Sequence, residues 1–238
     1  EMTLRIAVDV GGTFTDGVLL EEETGRIWLA KSLTTYSDPG DAIATVCRQL
    51  LQQHGRAEDV NQIVHGTTLI TNSLIERKGV STALVTNRGM RDVLDIRREM
   101  RYDTYDLALT YPKPLVPLDR RYEISARLGP DGAEWAPLLD DEIKNVAASL
   151  RKQKVAAVAV CLLHAPVSPE HEKRVRAILD RELPGAPISL SHEVSGAIGE
   201  YERASTTVAN AYVQPIVKTY LDKLRAKFTD IGMTARLD

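Results

Sequence analysis

Cysteine is scarce in this 238-residue chain, with Cys47 and Cys161 the two present. Both fall inside predicted core elements and read as small buried hydrophobes, so neither a disulfide framework nor a cysteine metal site is indicated. An excess of one charge is also missing. Lys and Arg number 30 against 33 Asp and Glu, a net charge of −3, which gives no basic surface for nucleic acid or an anionic membrane. No apolar run approaches the ~20 residues of a membrane span, and no basic-then-apolar leader opens the sequence. Internal repeats and low-complexity tracts are absent. The expectation is a soluble, cytoplasmic protein with no nucleic-acid or membrane partner, long enough for one large domain or one and a half.

What is present is concentrated near the start. Leu4-Arg5-Ile6-Ala7-Val8 alternates like a half-buried strand, Gly17-Val18-Leu19-Leu20 reads as a second, and Asp9-Val10-Gly11-Gly12-Thr13-Phe14-Thr15-Asp16 makes the hairpin between them. Paired glycines permit φ > 0 and close approach of a ligand to the backbone. The following N–H groups can cup an anion, with the hydroxyls of Thr13 and Thr15 beside them. Asp9, at the end of the first strand, is placed to hold a hydrated cation next to that anion. The hairpin therefore reads as a phosphate-and-magnesium site.

A third strand is predicted over Arg26–Leu33, then a helix after Asp38-Pro39-Gly40 with Ile43, Val46, Cys47, Leu50 and Leu51 at helical spacing. Ile63-Val64-His65 is a short strand, Leu69–Lys78 a helix closed by Gly79, and Ser81–Thr86 another strand. Asp141–Gln153 is helical, and the apolar run Val155–Leu163 marks a central strand covered on both faces. Ser168-Pro169-Glu170 starts a helix with a serine cap, and Pro187–Ser191 closes the sheet. The pattern predicts an α/β fold, a mixed sheet with helices on both faces. Between about 97 and 137 regularity lapses into a rim insertion that ends in a hairpin through Arg121 to Arg127 and Gly129-Pro130-Asp131-Gly132.

Two further groups carry chemistry. His65-Gly66-Thr67-Thr68 lies where a strand hands over to a helix, the place where an open α/β sheet receives ligands; Thr67 or Thr68 can cap that helix. Asn72 either points the same way or is solvated. Downstream, Glu202, Thr206 and Asn210 stack at helical spacing beside Arg203 and Thr207, with Val208, Ala211 and Tyr212 turned elsewhere. That stripe suits a ligand or a helix–helix contact. Pro215 breaks or kinks this helix, after which Tyr220, Leu221, Leu224 and Phe228 resume an apolar face. Arg88, Arg91, Arg97, Arg98 and Arg101, interleaved with acids, read as a solvated helix, with substrate contact by Arg97 or Arg98 as the alternative.

The segments DVGGTFTD, VHGTTLITNSLIERKG, TNRGMRDVLDIRRE, HAPVSPEHEKRV and SHEVSGAIGEYERASTTVANAYVQP resemble the A-type subunit of the hydantoinase/oxoprolinase family, which includes ATP-dependent cyclic amide hydrolases and ketone carboxylases. The resemblance implies a ribonuclease H-like lobe of the actin-like ATPase superfamily, with ATP and Mg2+ (or Mn2+) held between lobes. It implies phosphorylation of a substrate carbonyl oxygen before ring opening by a B-type partner subunit or domain. Gly11, Gly12, Thr13, Thr15 and Asp16 would bind the cofactor, with Thr67, Thr68, Thr206 and Asn210, and Asp9 would hold the metal through water. Glu200, Glu202, Arg203 and His65 would act in catalysis, His65 meeting the acceptor carbonyl. On this reading residues 1–211 are the N-terminal ATP-binding lobe, and 212–238 the inter-lobe helix and the start of a missing second lobe. The substrate is a cyclic amide; a ketone carboxylase sharing the phosphorylation step and a non-catalytic actin-like scaffold are the alternatives.

Overall fold

The computed structural model describes residues 3–35 and 38–238. In chain order the strands and helices are β1 (Leu4–Val10), β2 (Phe14–Glu21), β3 (Ile27–Leu33), α1 (Pro39–His54), β4 (Val60–Thr67), α2 (Leu69–Ile75), β5 (Thr82–Asn87) and α3 (Val93–Ile96). Then follow β6 (Arg121–Ile124), β7 (Arg127–Leu128), β8 (Glu134–Ala136), α4 (Asp140–Lys152), β9 (Ala157–Cys161) and α5 (Glu170–Glu182). Last come β10 (Ile188–Leu190), α6 (Ser191–Val194), α7 (Glu200–Asp230) and β11 (Arg236–Leu237). They form two compact units, Glu1–Glu76 with Ile216–Asp238, and Arg77–Pro215.

The first unit is built on a five-stranded sheet of order β11-β4-β1-β2-β3, the ribonuclease H-like order. β1, β2 and β3 form an antiparallel meander, while β4 runs parallel to β1 and β11 parallel to β4. Strict alternation in β1 buries Leu4, Ile6, Val8 and Val10 and exposes Arg5, Ala7 and Asp9. Ile43, Val46, Cys47 and Leu50 of α1 and Leu224 and Phe228 of α7 pack on that inner face. Asp38 caps α1 by accepting from the Gly40 N–H at 3.0 Å, with Pro39 at the first helical position. Gly17 of β2 lies under α1, where a Cβ would collide with Val46 Cγ1.

The apolar residues that mark β3 in the sequence face outward. Ile27, Leu29 and Leu33 are 61%, 77% and 67% exposed, while Trp28 and Ala30 turn to the core. β3 is apolar on both sides, so alternation identifies the strand without telling which face is covered. The C-terminal segment adds β11 to the edge of the first sheet, parallel to β4. Pro215 neither breaks nor ends its helix, since α7 runs continuously through it.

The expected single sheet is two. Strands after Arg77 make a separate four-stranded sheet, β10-β9-β5-β6, parallel throughout. All residues of β5 and β9 are buried, as strands covered on both faces require. α4 and α5 cover one face through Ile143, Leu150, Val175 and Leu179. Leu94 and Ala204, Val208 and Ala211 of α7 cover the other. Part of the expected rim insertion belongs to this sheet, because β6 pairs with β5; β7 and β8 form the hairpin. The arginine-rich segment is helical only over Val93–Ile96. Pro169 takes the cap position of α5 without a side-chain cap bond, so the serine cap expected at Ser168 is not formed. Gly79 does not close α2; a Cβ there would strike the Tyr212 ring.

Gly17→Ala should cost about 1–3 kcal/mol through overpacking against Val46, measured by urea denaturation. Gly196→Ala, whose Cβ would meet nothing within 4 Å, is the control and should shift stability by no more than about 0.5 kcal/mol.

Candidate functional site

Cross-strand register places Asp9 opposite Asp16 and Val10 opposite Thr15, leaving Gly11–Thr13 as the turn. The Gly11 N–H donates to Phe14 O at 3.0 Å and closes it. Neither glycine adopts positive φ, so the backbone freedom read from the sequence is not what the turn uses. A Cβ at Gly11 would lie 3.0 Å from Phe14 O, and one at Gly12 would meet nothing within 4 Å. Gly11 thus relieves a close approach, and Gly12 leaves the main chain open to a ligand. Among the described residues, the N–H groups of Gly12 and Thr13 meet no acceptor.

Thr34, the residue after β3, braces the turn. Its N–H donates to Thr13 O at 2.9 Å and its hydroxyl to Gly11 O at 2.9 Å. That hydroxyl, having spent its proton, accepts from Thr15 Oγ1 at 3.1 Å. Thr15 is fully buried, so its hydroxyl holds the turn instead of facing a ligand, a correction to the reading of both threonines as anion donors. Thr13 and Asp16 are exposed, and Asp16 pairs with Lys31 at 3.0 Å.

The parallel register of β1 and β4 sets Asp9 beside Gly66 and Val8 beside His65. Asp9 is exposed, and its Oδ1 lies 3.0 Å from where a Gly66 Cβ would stand. His65 Nδ1 lies 3.2 Å from Val8 O. A carbonyl only accepts, so Nδ1 carries the proton and Nε2 accepts from the Tyr220 hydroxyl at 2.6 Å. Burial pushes the His65 pKa below its ordinary 6.5, against the Val8 hydrogen bond and the Asp9 charge. Burial and the charge of Asp38 push Tyr220 up to about 12, against a hydrogen bond with Thr67. The neutral pair is therefore favoured at neutral pH. With both ring nitrogens committed, His65 is a strut behind Asp9 and does not present a free nitrogen to an acceptor carbonyl. Thr67 Oγ1 accepts from the Leu69 N–H at 3.2 Å. Thr68 makes no side-chain cap and instead accepts from Asn72 Nδ2 at 3.2 Å. Tyr220 was readable only as part of an apolar helix face; nothing local marks its bond to a histidine 155 positions away.

In the second unit the stripe on α7 spends its polar groups locally. Glu202 pairs with Arg98, whose guanidinium holds its carboxyl below the usual range. Thr206 Oγ1 donates to Glu202 O at 2.8 Å within the helix. Asn210 Nδ2 donates to Ser189 Oγ at 2.9 Å, tying α7 to β10. Glu200 is half-buried in a small crevice with Thr86, Met90 and Cys161, at the carboxyl ends of β5 and β9. Arg203 is 1% exposed. Its guanidinium donates to Ser191 Oγ at 3.1 Å and to the carbonyls of Ala197, Ile198 and Leu162 at 2.9 Å each. It is a structural tie, which corrects its assignment to the chemistry. Ser191 in turn donates at 2.6 Å to Glu172, a fully buried carboxylate that also accepts from Leu162 N and His192. Glu172 sits in the acidic first turn of α5 and carries no sequence signal beyond that.

Strand order and hairpin geometry define a ribonuclease H-like α/β protein. Residues 5–183 match the family described as hydantoinase/oxoprolinase N-terminal region, and the chain belongs to that family. It is 35% identical over 235 residues to caprolactamase subunit alpha of Pseudomonas jessenii, covering 96% of this chain and 34% of that one. It is 31% identical over 250 residues to the acetophenone carboxylase gamma subunit of Aromatoleum aromaticum, covering 93% and 33%. The crystal structure of the ATP-dependent caprolactamase superposes with a TM-score of 0.88, covering 98% of this chain and 35% of that one. Nucleotide-free acetone carboxylase, 24% identical, shares the fold with a TM-score of 0.87 over 100% of this chain and 36% of that one. The chain thus spans about a third of the length of these relatives. Among the described residues no helix is long and apolar enough to cross a membrane.

Folding lowers the His65 pKa, so the unfolded chain takes up this proton first as pH falls. His65 should therefore favour the folded state fully above its folded and unfolded pKa values, with that contribution lost as pH drops below 6.5. Urea denaturation at about pH 7.5 and about pH 5.5 should show a loss of stability that His65→Gln reduces. An unchanged pH dependence in that variant would remove His65 as its source.

Proposed function

We propose that this chain is the ATP-binding N-terminal part of an ATP-dependent cyclic amide hydrolase of the hydantoinase/oxoprolinase type. The reading rests on one arrangement: an exposed Asp9 carboxylate over Gly66, beside a turn whose Gly12 and Thr13 amides have no acceptor among the described residues. Unspent main-chain donors of this kind suit phosphate oxygens. Among the described residues no cluster of three or more His, Cys, Asp or Glu side chains could cage a metal. A lone carboxylate still fits Mg2+ or Mn2+, which the nucleotide's phosphates and water would otherwise coordinate.

Bound ATP with its magnesium supplies the transferable γ-phosphoryl group. Gly12 and Thr13 would hold the phosphate oxygens through their main-chain N–H groups, with the Thr13 hydroxyl as a third donor, and Asp9 would hold the cation. Thr34, Thr15 and the His65–Tyr220 pair hold these groups still, since phosphoryl transfer depends on positioning and charge neutralisation. In the second unit Glu200, half-buried at the carboxyl ends of β5 and β9, is the carboxylate left for a role of its own. The activated carbonyl would pass to a B-type partner for ring opening, with a second nucleotide-binding lobe completing the enzyme.

Phosphate release should be measured after co-expression with the B-type partner, across hydantoins, 5-oxoproline, lactams and ketones. Asp9→Ala and Thr13→Ala should each lower ATP-dependent turnover by about a hundredfold or more. Full activity in both variants would instead favour the scaffold reading, and bicarbonate-dependent turnover of a ketone would favour carboxylation. The 238-residue chain alone should show negligible ATPase activity; steady turnover by it would contradict the need for further parts.

A further inference from the structure

The second unit contains a cavity of about 270 Å³ beneath residues 112–115. Four polar side chains line it: Arg97, Lys113, Tyr201 and Ser205; Leu94 and Val208 give it apolar wall. Arg97 is held in the left-handed region at φ 58°. Its guanidinium stacks 4.4 Å over the Tyr111 ring, and Nη2 donates to Pro112 O. Among the described residues, the Lys113 ammonium and the hydroxyls of Tyr201 and Ser205 have no hydrogen-bond or ion-pair partner. No Asp or Glu lines the cavity.

Two cations facing one cavity without a counter-charge repel each other. An anion relieves that repulsion. A carboxylate offers acceptor-only oxygens that suit a planar guanidinium, an ammonium and two hydroxyls. Apolar walls call for a hydrocarbon body, which inorganic phosphate lacks. The volume lies just below the ~300–1,000 Å³ of pockets for drug-sized ligands, so the body must be compact.

We propose that this cavity binds a compact organic carboxylate. The assignment goes beyond the nucleotide reading, because every residue in it belongs to the second unit and its test needs no nucleotide. Tyr201 and Ser205 lie one helical turn apart on α7, beside the Glu202–Asn210 stripe that sequence spacing singled out.

The chain is titrated calorimetrically with cyclopentanecarboxylate, and with cyclopentanecarboxamide as the uncharged control. The carboxylate should saturate one site, and the carboxamide should bind at least about tenfold more weakly. Lys113→Gln, Arg97→Gln and Tyr201→Phe should each weaken the carboxylate by about fivefold or more. Should Arg97→Gln fail to fold, the exposed Lys113 and the hydroxyl deletion at Tyr201 still decide the matter. Absence of saturable binding would overturn the proposal, as would equal affinity for the carboxamide, unchanged affinity in both Lys113→Gln and Tyr201→Phe, or equal binding of inorganic phosphate.

Discussion

Parallel pairing of β1 with β4 is the constraint on which the first unit depends. It joins strands more than 50 positions apart, so loop-closure entropy must be offset before the pairing yields anything. Its register then does several things together. Gly66 comes beside Asp9 where only a missing Cβ leaves room for the carboxylate, and His65 comes beside Val8, whose carbonyl fixes the imidazole tautomer. A slip of one residue would turn Asp9 to the inner face and Val8 outward. The apolar alternation of β1 forbids that slip, so burial on one face secures the chemistry on the other.

The second unit has its own anchor, made of polar groups. Glu172, Ser191 and Arg203 form a buried relay that ties the chain just beyond β9 and β10 to the start of α7. Every member is hydrogen-bonded, and only under that condition does such a network add rigidity without a large desolvation penalty. It holds the carboxyl ends of the parallel strands, where Glu200 stands.

The parts legible in the sequence were those with a local signature. Strand alternation, the apolar runs of β5 and β9 and the glycine-threonine turn each announced an element, and the family followed from the resemblance of five segments, DVGGTFTD first among them. Partners were not legible. Periodicity marks Ser81–Thr86 as a strand without saying whether it extends the first sheet or begins another, and the strand expected at Arg121 gave no sign that it would pair with β5. The same limit governed side chains. Thr15, His65 and Arg203 are residue types that suit catalysis, yet each is committed to a distant group: Thr34, Tyr220 and Ser191. Tyr201 and Ser205 were overlooked for the opposite reason, since a hydroxyl without a partner leaves no pattern in spacing.

The uncovered side of the first sheet has a practical consequence. Ile27, Leu29 and Leu33 lie on the edge strand β3, whose outer rim of main-chain amides and carbonyls has no neighbouring strand among the described residues. Greasy side chains beside an unpaired rim invite strand addition from other molecules. Handled by itself at high concentration, this polypeptide would self-associate along that rim first, well before either hydrophobic interior gave way.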